Sequence, residues 1–222
     1  MSHKPAPLPF GMTFFALVFI ITFIQIGVLK IAVHKLGLSN EAAYLLLFAS
    51  LMGSMINIPL FTIHSTATHA APIPNVYRQF LHQAMPHFDG RTLIAINAGG
   101  AIVPTIFCLY LIFSQDLEPF SIILGTVIVT LICRFISRPL PGIGIGMPIF
   151  IAPISAAFVA LLLAPEHSPA LAYISGTLGV LLGADLLRFK DIRTLGTPVA
   201  SIGGAGTFDG IFITGIVAVL LA

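Results

Sequence analysis

The sequence predicts an all-α fold: a polytopic helical membrane protein. Three observations carry that prediction. Of the 222 residues, 57% are hydrophobic and only 8% charged, and the mean hydropathy is +1.05; a soluble domain does not need so much apolar surface. The apolar residues fall into seven runs: Phe10–Val33, Ala42–Ile63, Leu93–Phe113, Pro119–Ile136, Pro148–Ala164, Ala170–Leu187 and Phe208–Ala222. Each is near the length that a hydrocarbon core of about 30 Å asks of a helix. No long linker or soluble segment interrupts them, so residues 1–222 read as a single transmembrane domain.

The first run is too long and poorly flanked for a cleaved signal peptide and reads as a retained helix. Orientation follows from the cations. Threading seven spans puts Lys4, Arg78, Arg91, Arg134, Arg138, Arg188, Lys190 and Arg193 on one side, against Lys30 and Lys35 on the other. The positive-inside rule makes the majority side cytoplasmic, with the amino terminus in and the carboxyl terminus out. The expected location is a prokaryotic cytoplasmic (inner) membrane, with the lipid bilayer as solvent. A net charge of +2 argues against a nucleic-acid partner. Cys108 and Cys133 sit inside apolar runs and read as packing residues.

Residues 64–91 form the one sizeable cytoplasmic loop. Within it, Asn75–Met85 places Val76 and Phe80 on one helical face, the pattern of an interfacial helix; a solvated loop is the competing reading. His64, His69, His82 and His87 share this loop with Asp89, but spacings of five do not align a pair on one helix face. Neither a metal nor a cofactor is expected.

Before the fifth run the chain reads RPLPGIGIGMPIFIAP, where Pro and Gly forbid an assumption of regular helix. This stretch is expected to be broken or re-entrant. The alternation Gly142, Gly144, Gly146 and Met147 suits an extended strand with little bulk on one face; an interfacial loop is the alternative. In the sixth run, Ser175, Gly179 and Gly183 recur every four residues, a small-residue stripe that lets another helix approach closely.

Asp185 and Asp209 are the two acids expected at membrane depth, where an ionisable residue marks a functional site by default. Asp185 follows Pro169 by sixteen residues, about 24 Å of helix, which leaves it near the cytoplasmic boundary. Asp209 precedes Ala222 by thirteen, about 20 Å, and so falls at similar depth. Two close carboxylates cannot both ionise comfortably; they share a proton, one serving as base and the other as acid. The structural alternative pairs Asp185 with Arg188 and makes Asp209 a helix cap. The run IGGAGTFDG also has the glycines of an anion-binding nest, but Asp209 disfavours an anion there.

The motifs LLGADLLRF, around Asp185, and GAGTFDGIF, around Asp209, resemble those of the presenilin and signal-peptide-peptidase class of intramembrane aspartyl proteases. That class carries one aspartate in its sixth helix and the second in a Gly-x-Gly-Asp motif opening the seventh. The resemblance covers the last two runs. Phe208 replaces the glycine before the second aspartate, and Ala184 stands where the class has tyrosine. What it implies is hydrolysis of membrane-embedded protein or peptide substrates by an Asp185/Asp209 pair. An exposed edge at Gly142–Met147 would take an unwound substrate as an added strand, so Gly142, Gly144, Gly146 and Met147, with Gly206 and Phe208, are the expected substrate-binding residues. Taken whole, the chain is similar to a prokaryotic multi-pass membrane family known only as a domain of unknown function. The alternatives are a proton- or cation-coupled small-solute transporter using the same carboxylates and a non-catalytic membrane scaffold. Asn57 and Asn97 are polar breaks that could bond the acids or satisfy backbone.

Reporter fusions test the topology. Those placed after Arg138 and after Arg193 should read cytoplasmic and one after Glu166 external; a reversed result at any of the three removes the shared depth of the two acids.

Overall fold

Apolar content alone does not separate a short buried strand from a helix, and the backbone divides two of the seven runs between both. The structure, a computed structural model, describes residues 27, 30–67, 69, 88–142, 144–204 and 210–222. Most of the first run, the Asn75–Met85 stretch, His82, His87, Gly206, Phe208 and Asp209 lie outside the described residues.

Helical residues 30–35 end in a turn at Gly37 that leads into α1, Asn40–Ser54. Ser39 caps α1: its Oγ accepts from the Ala42 N–H at 3.2 Å, satisfying one of the orphan donors at the helix start. A backbone N–H, and after it the Ser39 hydroxyl, hold the exposed Glu41 carboxyl below its ordinary value. The helix stops at Met55, and Pro59 cannot continue it. The rest of the second run is instead strand β1, Asn57–His64. The third run likewise opens as strand β2, Arg91–Asn97, before a π-helical turn, Ala98–Ile102, and α2, Val103–Ser114. Both strands are rich in Ile and Thr, which fit a pleated surface better than a helix.

The other helices are α3, Pro119–Ile136; α4, Ile151–Leu163; α5, Ser168–Val180; and α6, Gly210–Leu221. Between α3 and α4 the Pro/Gly stretch folds as an antiparallel hairpin of β3, Arg138–Leu140, and β4, Gly144–Gly146. After α5 come a π-helical turn, Leu181–Leu186, a 3₁₀ turn, Phe189–Thr194, and strand β5, Val199–Ile202. Strand order is β1-β2-β5. β1 runs antiparallel to β2 from Asn57↔Asn97 to His64↔Arg91, with a bulge between Pro59 and Phe61. β5 lies parallel to β2, from Leu93↔Val199 to Ile96↔Ile202. The all-α expectation is thus corrected: the protein is mostly helical but carries five strands in two sheets among the described residues.

Two helices are long and apolar enough to cross a membrane, Pro119–Ile136 and Pro165–Leu186. Seven such spans are not found among the described residues: α4 has 13 residues and α6 has 12, short of the roughly 20 that a perpendicular span needs. α5 is the central helix, touching α2, α3, α4 and α6. Its small-residue stripe meets α3: a Cβ on Gly179 would crowd Val129, and one on Gly183 would strike the Thr130 carbonyl and Cys133. Gly176, on another face, abuts Ala156 of α4 and Thr214 and Ala218 of α6. The periphery is apolar, with Phe113 at 87% and Phe135 at 82% exposure. A second core under the larger sheet joins Ile63, Ile94, Ile192, Leu195 and Ile202, and Ile145 of β4 packs against both cores.

Gly183→Ala should lower stability by about 1–3 kcal/mol, the cost of overpacking a site walled by backbone. Gly27→Ala, where a Cβ meets nothing within 4 Å, should leave it unchanged or slightly raised. Thermal unfolding in detergent reads both; equal losses would refute the packing assignment.

Candidate functional site

The ends of the parallel strands build the site. β2 and β5 point the same way, and each runs at its C-terminal end into a glycine pair, Gly99-Gly100 and Gly203-Gly204. The two turns stack without intervening side chains. A Cβ on Gly100 would collide with the Gly203 carbonyl, and one on Gly203 would lie 2.6 Å from the Ala101 Cβ. Gly203 also has φ +80°, which any residue with a Cβ adopts at a cost. α1 joins the stack, since Gly99 has no room for a Cβ beside Ser50 and Ser54.

Buried Asn97 ties these pieces together. Its Nδ2 donates to the Ser54 carbonyl at 2.7 Å and to Asn57 Oδ1 at 3.1 Å, while its Oδ1 accepts from the Gly100 N–H at 2.7 Å. It thereby closes the end of α1 and the start of the π-helical turn together. Asn57 Oδ1 accepts a second bond, from Ser201 Oγ on β5, at 2.6 Å, so the side chains of Asn57, Asn97 and Ser201 bridge all three strands. Ser50 Oγ donates to the Gly99 carbonyl at 2.6 Å. Among the described residues, the side-chain hydrogen bonds of Asn57 and Asn97 go to backbone, to each other and to Ser201. Ser201 stood out by no spacing or motif; a hydroxyl beside a glycine pair was its only signal.

Asp185 sits half-buried in the π-helical turn at the end of α5. Its Oδ2 accepts from the Gly203 N–H at 3.3 Å, which places the carboxylate at a residue six positions before Asp209 in the sequence. Arg188, one turn on, pairs with Asp191 at 2.9 Å. Its Nε donates to Ser137 Oγ at 3.1 Å, and Nη2 donates to the Arg134 carbonyl at 2.9 Å and to the Ser137 carbonyl. The guanidinium therefore closes the C-terminal end of α3, where a cation is favoured. The alternative, an ion pair of Arg188 with Asp185, is not formed; Arg188 pairs with Asp191 instead.

Depth can be reckoned from the far end of the bundle. Ser168 Oγ donates to the Ala222 carbonyl at 3.3 Å, so α5 begins level with the end of α6. Asp185 is then about 25 Å away along its helix and Gly210 about 18 Å. Gly142 and Gly144 have φ +75° and +144°, and the Gly142 N–H donates to the Leu195 carbonyl at 2.9 Å. β4 packs against the π-helical turn that carries Asp185. The structure thus brings Gly142, Gly144, Gly146 and Met147 to the same end as Asp185. Among the described residues no three His, Cys, Asp or Glu side chains gather as a metal site.

The sequence model of the DUF1614 family, described as a protein of unknown function, matches residues 51–221. The chain belongs to that family. No curated protein and no solved structure matches it. The matched span takes in both sheets, Asn97, Asp185 and Asp209, and leaves out the beginning of α1.

Asn97→Leu would leave the Ser54 carbonyl and the Gly100 N–H unpaired. It should cost about 2–4 kcal/mol, from buried groups that keep their desolvation and lose their bonds. Asn57→Ala, at a partly exposed strand end, should cost less than half of that. Chemical unfolding of both variants checks the order, and the reverse order would show that Asn97 is not the tie.

Proposed function

We propose that this chain is an intramembrane aspartyl protease of the prokaryotic cytoplasmic membrane, hydrolysing peptide bonds of membrane-embedded substrates with Asp185 and Asp209. The observation that carries the reading is the bond from the Gly203 N–H to Asp185. It holds one carboxylate against Gly203, and the other acid, Asp209, follows six residues later in the sequence. The exposed apolar girdle around α2, α3 and α4 supports a lipid surrounding. The cation-rich end that holds the site supports a cytoplasmic position for it.

In this reading the ionised carboxylate takes a proton from water as the water attacks the scissile carbonyl carbon. The protonated partner gives its proton to the developing oxyanion, and the amine departs with a proton from the pair. β4 supports the substrate side. Its ladder partner among the described residues is β3 alone, so its outer edge can accept an unwound peptide as an added strand. Gly144, where a Cβ would meet nothing within 4 Å, keeps bulk off that edge, whereas the Leu140 side chain covers Gly146; Met147, Gly206 and Phe208 complete the expected lining. A transporter reading draws on the π-helical interruption at the carboxylate, since broken helices commonly form ion sites. The carboxylate and most of the cations, however, gather at one end of the bundle and not at its middle.

Asn substitution separates the two readings. In a protease, Asp185→Asn and Asp209→Asn each abolish cleavage of a membrane-spanning reporter, and the double variant is no worse, because the pair acts as one unit. In a transporter, one variant is dead and the other retains flux with a shifted pH optimum. Cleavage that survives Asp209→Asn in purified protein ends the protease reading.

A further inference from the structure

Charge divides this molecule by its ends. Among the described residues, the end with the strand termini and Asp185 carries Arg91, Arg134, Arg138, Arg188, Lys190 and Arg193, set against Asp89, Asp185 and Asp191. The far end carries Lys30 and Lys35 against Glu41, Asp116, Glu118 and Glu166. The cations come from separate elements that the backbone draws together. Arg188 binds the Arg134 and Ser137 carbonyls at the end of α3. The Gly142 N–H of the hairpin loop holds the Leu195 carbonyl at 2.9 Å. The Arg193 carbonyl accepts from Ser65 Oγ at 2.7 Å and from the Thr66 N–H at 2.8 Å.

Arg188–Asp191 is the one ion pair among the described residues. Arg138, Lys190 and Arg193 are exposed and have no carboxylate within 4 Å in that set. Next to them Phe135 is 82% exposed, with Leu140 and Leu187 also outward. Cations without a carboxylate partner, on segments that hydrogen bonds hold together, beside outward apolar side chains match an amphiphile with an anionic head and hydrocarbon tails.

We infer that Arg138, Lys190 and Arg193 form a seat for the phosphate of an anionic phospholipid, whose acyl chains lie along Phe135 and Leu140. Arg138 stands on the β3–β4 hairpin and Lys190 and Arg193 on the 3₁₀ turn. A headgroup between them clamps the hairpin to the segment that follows Asp185. The inference holds whatever reaction the aspartates perform.

Full-length protein purified in neutral detergent, with phosphatidylglycerol or phosphatidylcholine added, tests it by lipid retention in native mass spectrometry and by Tm. Phosphatidylglycerol should be retained and raise Tm, and phosphatidylcholine should do neither. Arg138→Gln with Arg193→Gln should cut phosphatidylglycerol retention by roughly tenfold or more, at about 1 kcal/mol for each cation near an anionic lipid. Arg138→Lys with Arg193→Lys should keep most of it, and Lys30→Gln, at the far end, all of it. Equal retention of the two lipids by the unaltered protein, or undiminished retention by the Gln pair, overturns the seat. The same rise in Tm with inorganic phosphate alone overturns the lipid as its occupant.

Discussion

Backbone lies directly on backbone where α1, the turn after β2 and the turn after β5 meet, and the rest of the site depends on that contact. Gly99 against Ser50 and Ser54, and Gly100 against Gly203, leave no room for a single methyl group. Helix, sheet and loop therefore cannot slide past one another without a clash or a void, and close-packed interiors tolerate neither. The Gly203 N–H is presented to Asp185 because its turn is held there from behind.

Satisfying backbone away from water is the second constraint. A strand in a mostly apolar chain must place its N–H and C=O groups on a neighbour, and β2 does so on both sides, with β1 and β5. The helix ends beside it meet the same demand through side chains: Asn97 for the end of α1 and the start of the π-helical turn, Arg188 for the end of α3. In one respect the interior is less complete. Among the described residues, the hydroxyl of Ser175 on α5 is buried without a hydrogen-bond partner, beside the tight contact of Gly215 with Tyr173 and Thr177. Dense helix packing there outweighs polar satisfaction.

The site joins a rigid part and an adaptable one. α5 is gripped by four helices, and its close seam with α3 fixes the axis along which Asp185 is delivered. The last turn of that helix is π-helical, a local widening often found where function needs a side chain re-aimed. Arg188 pins the far side of the widening to α3, so the carboxylate is held between a packed helix and a pinned turn. The acid/base role proposed for Asp185 requires such placement.

Much of this was legible in the sequence, and what was not has a common cause. Composition and run lengths determined that the chain is mostly helical and apolar, and four-residue spacing determined that Ser175, Gly179 and Gly183 share one face, because those properties are local. The Pro/Gly alternation suggested extended backbone at Gly144–Gly146 for the same reason. Hydropathy could not tell that Asn57–His64 and Arg91–Asn97 are strands, since a short apolar run suits either state and only a partner across the ladder decides. Nor could spacing show that Asn97 would bind Ser54 and Gly100, that Ser201 would reach Asn57, or that Arg188 would turn to Asp191 and α3. The Ser201–Asn57 bond needs the parallel pairing of β2 with β5, about a hundred residues apart in the chain; the bonds of Asn97 to Ser54 and of Arg188 to α3 need helices that only the packed fold sets beside them. Sequence determined which residues were costly to bury; tertiary structure alone decided which of them would meet.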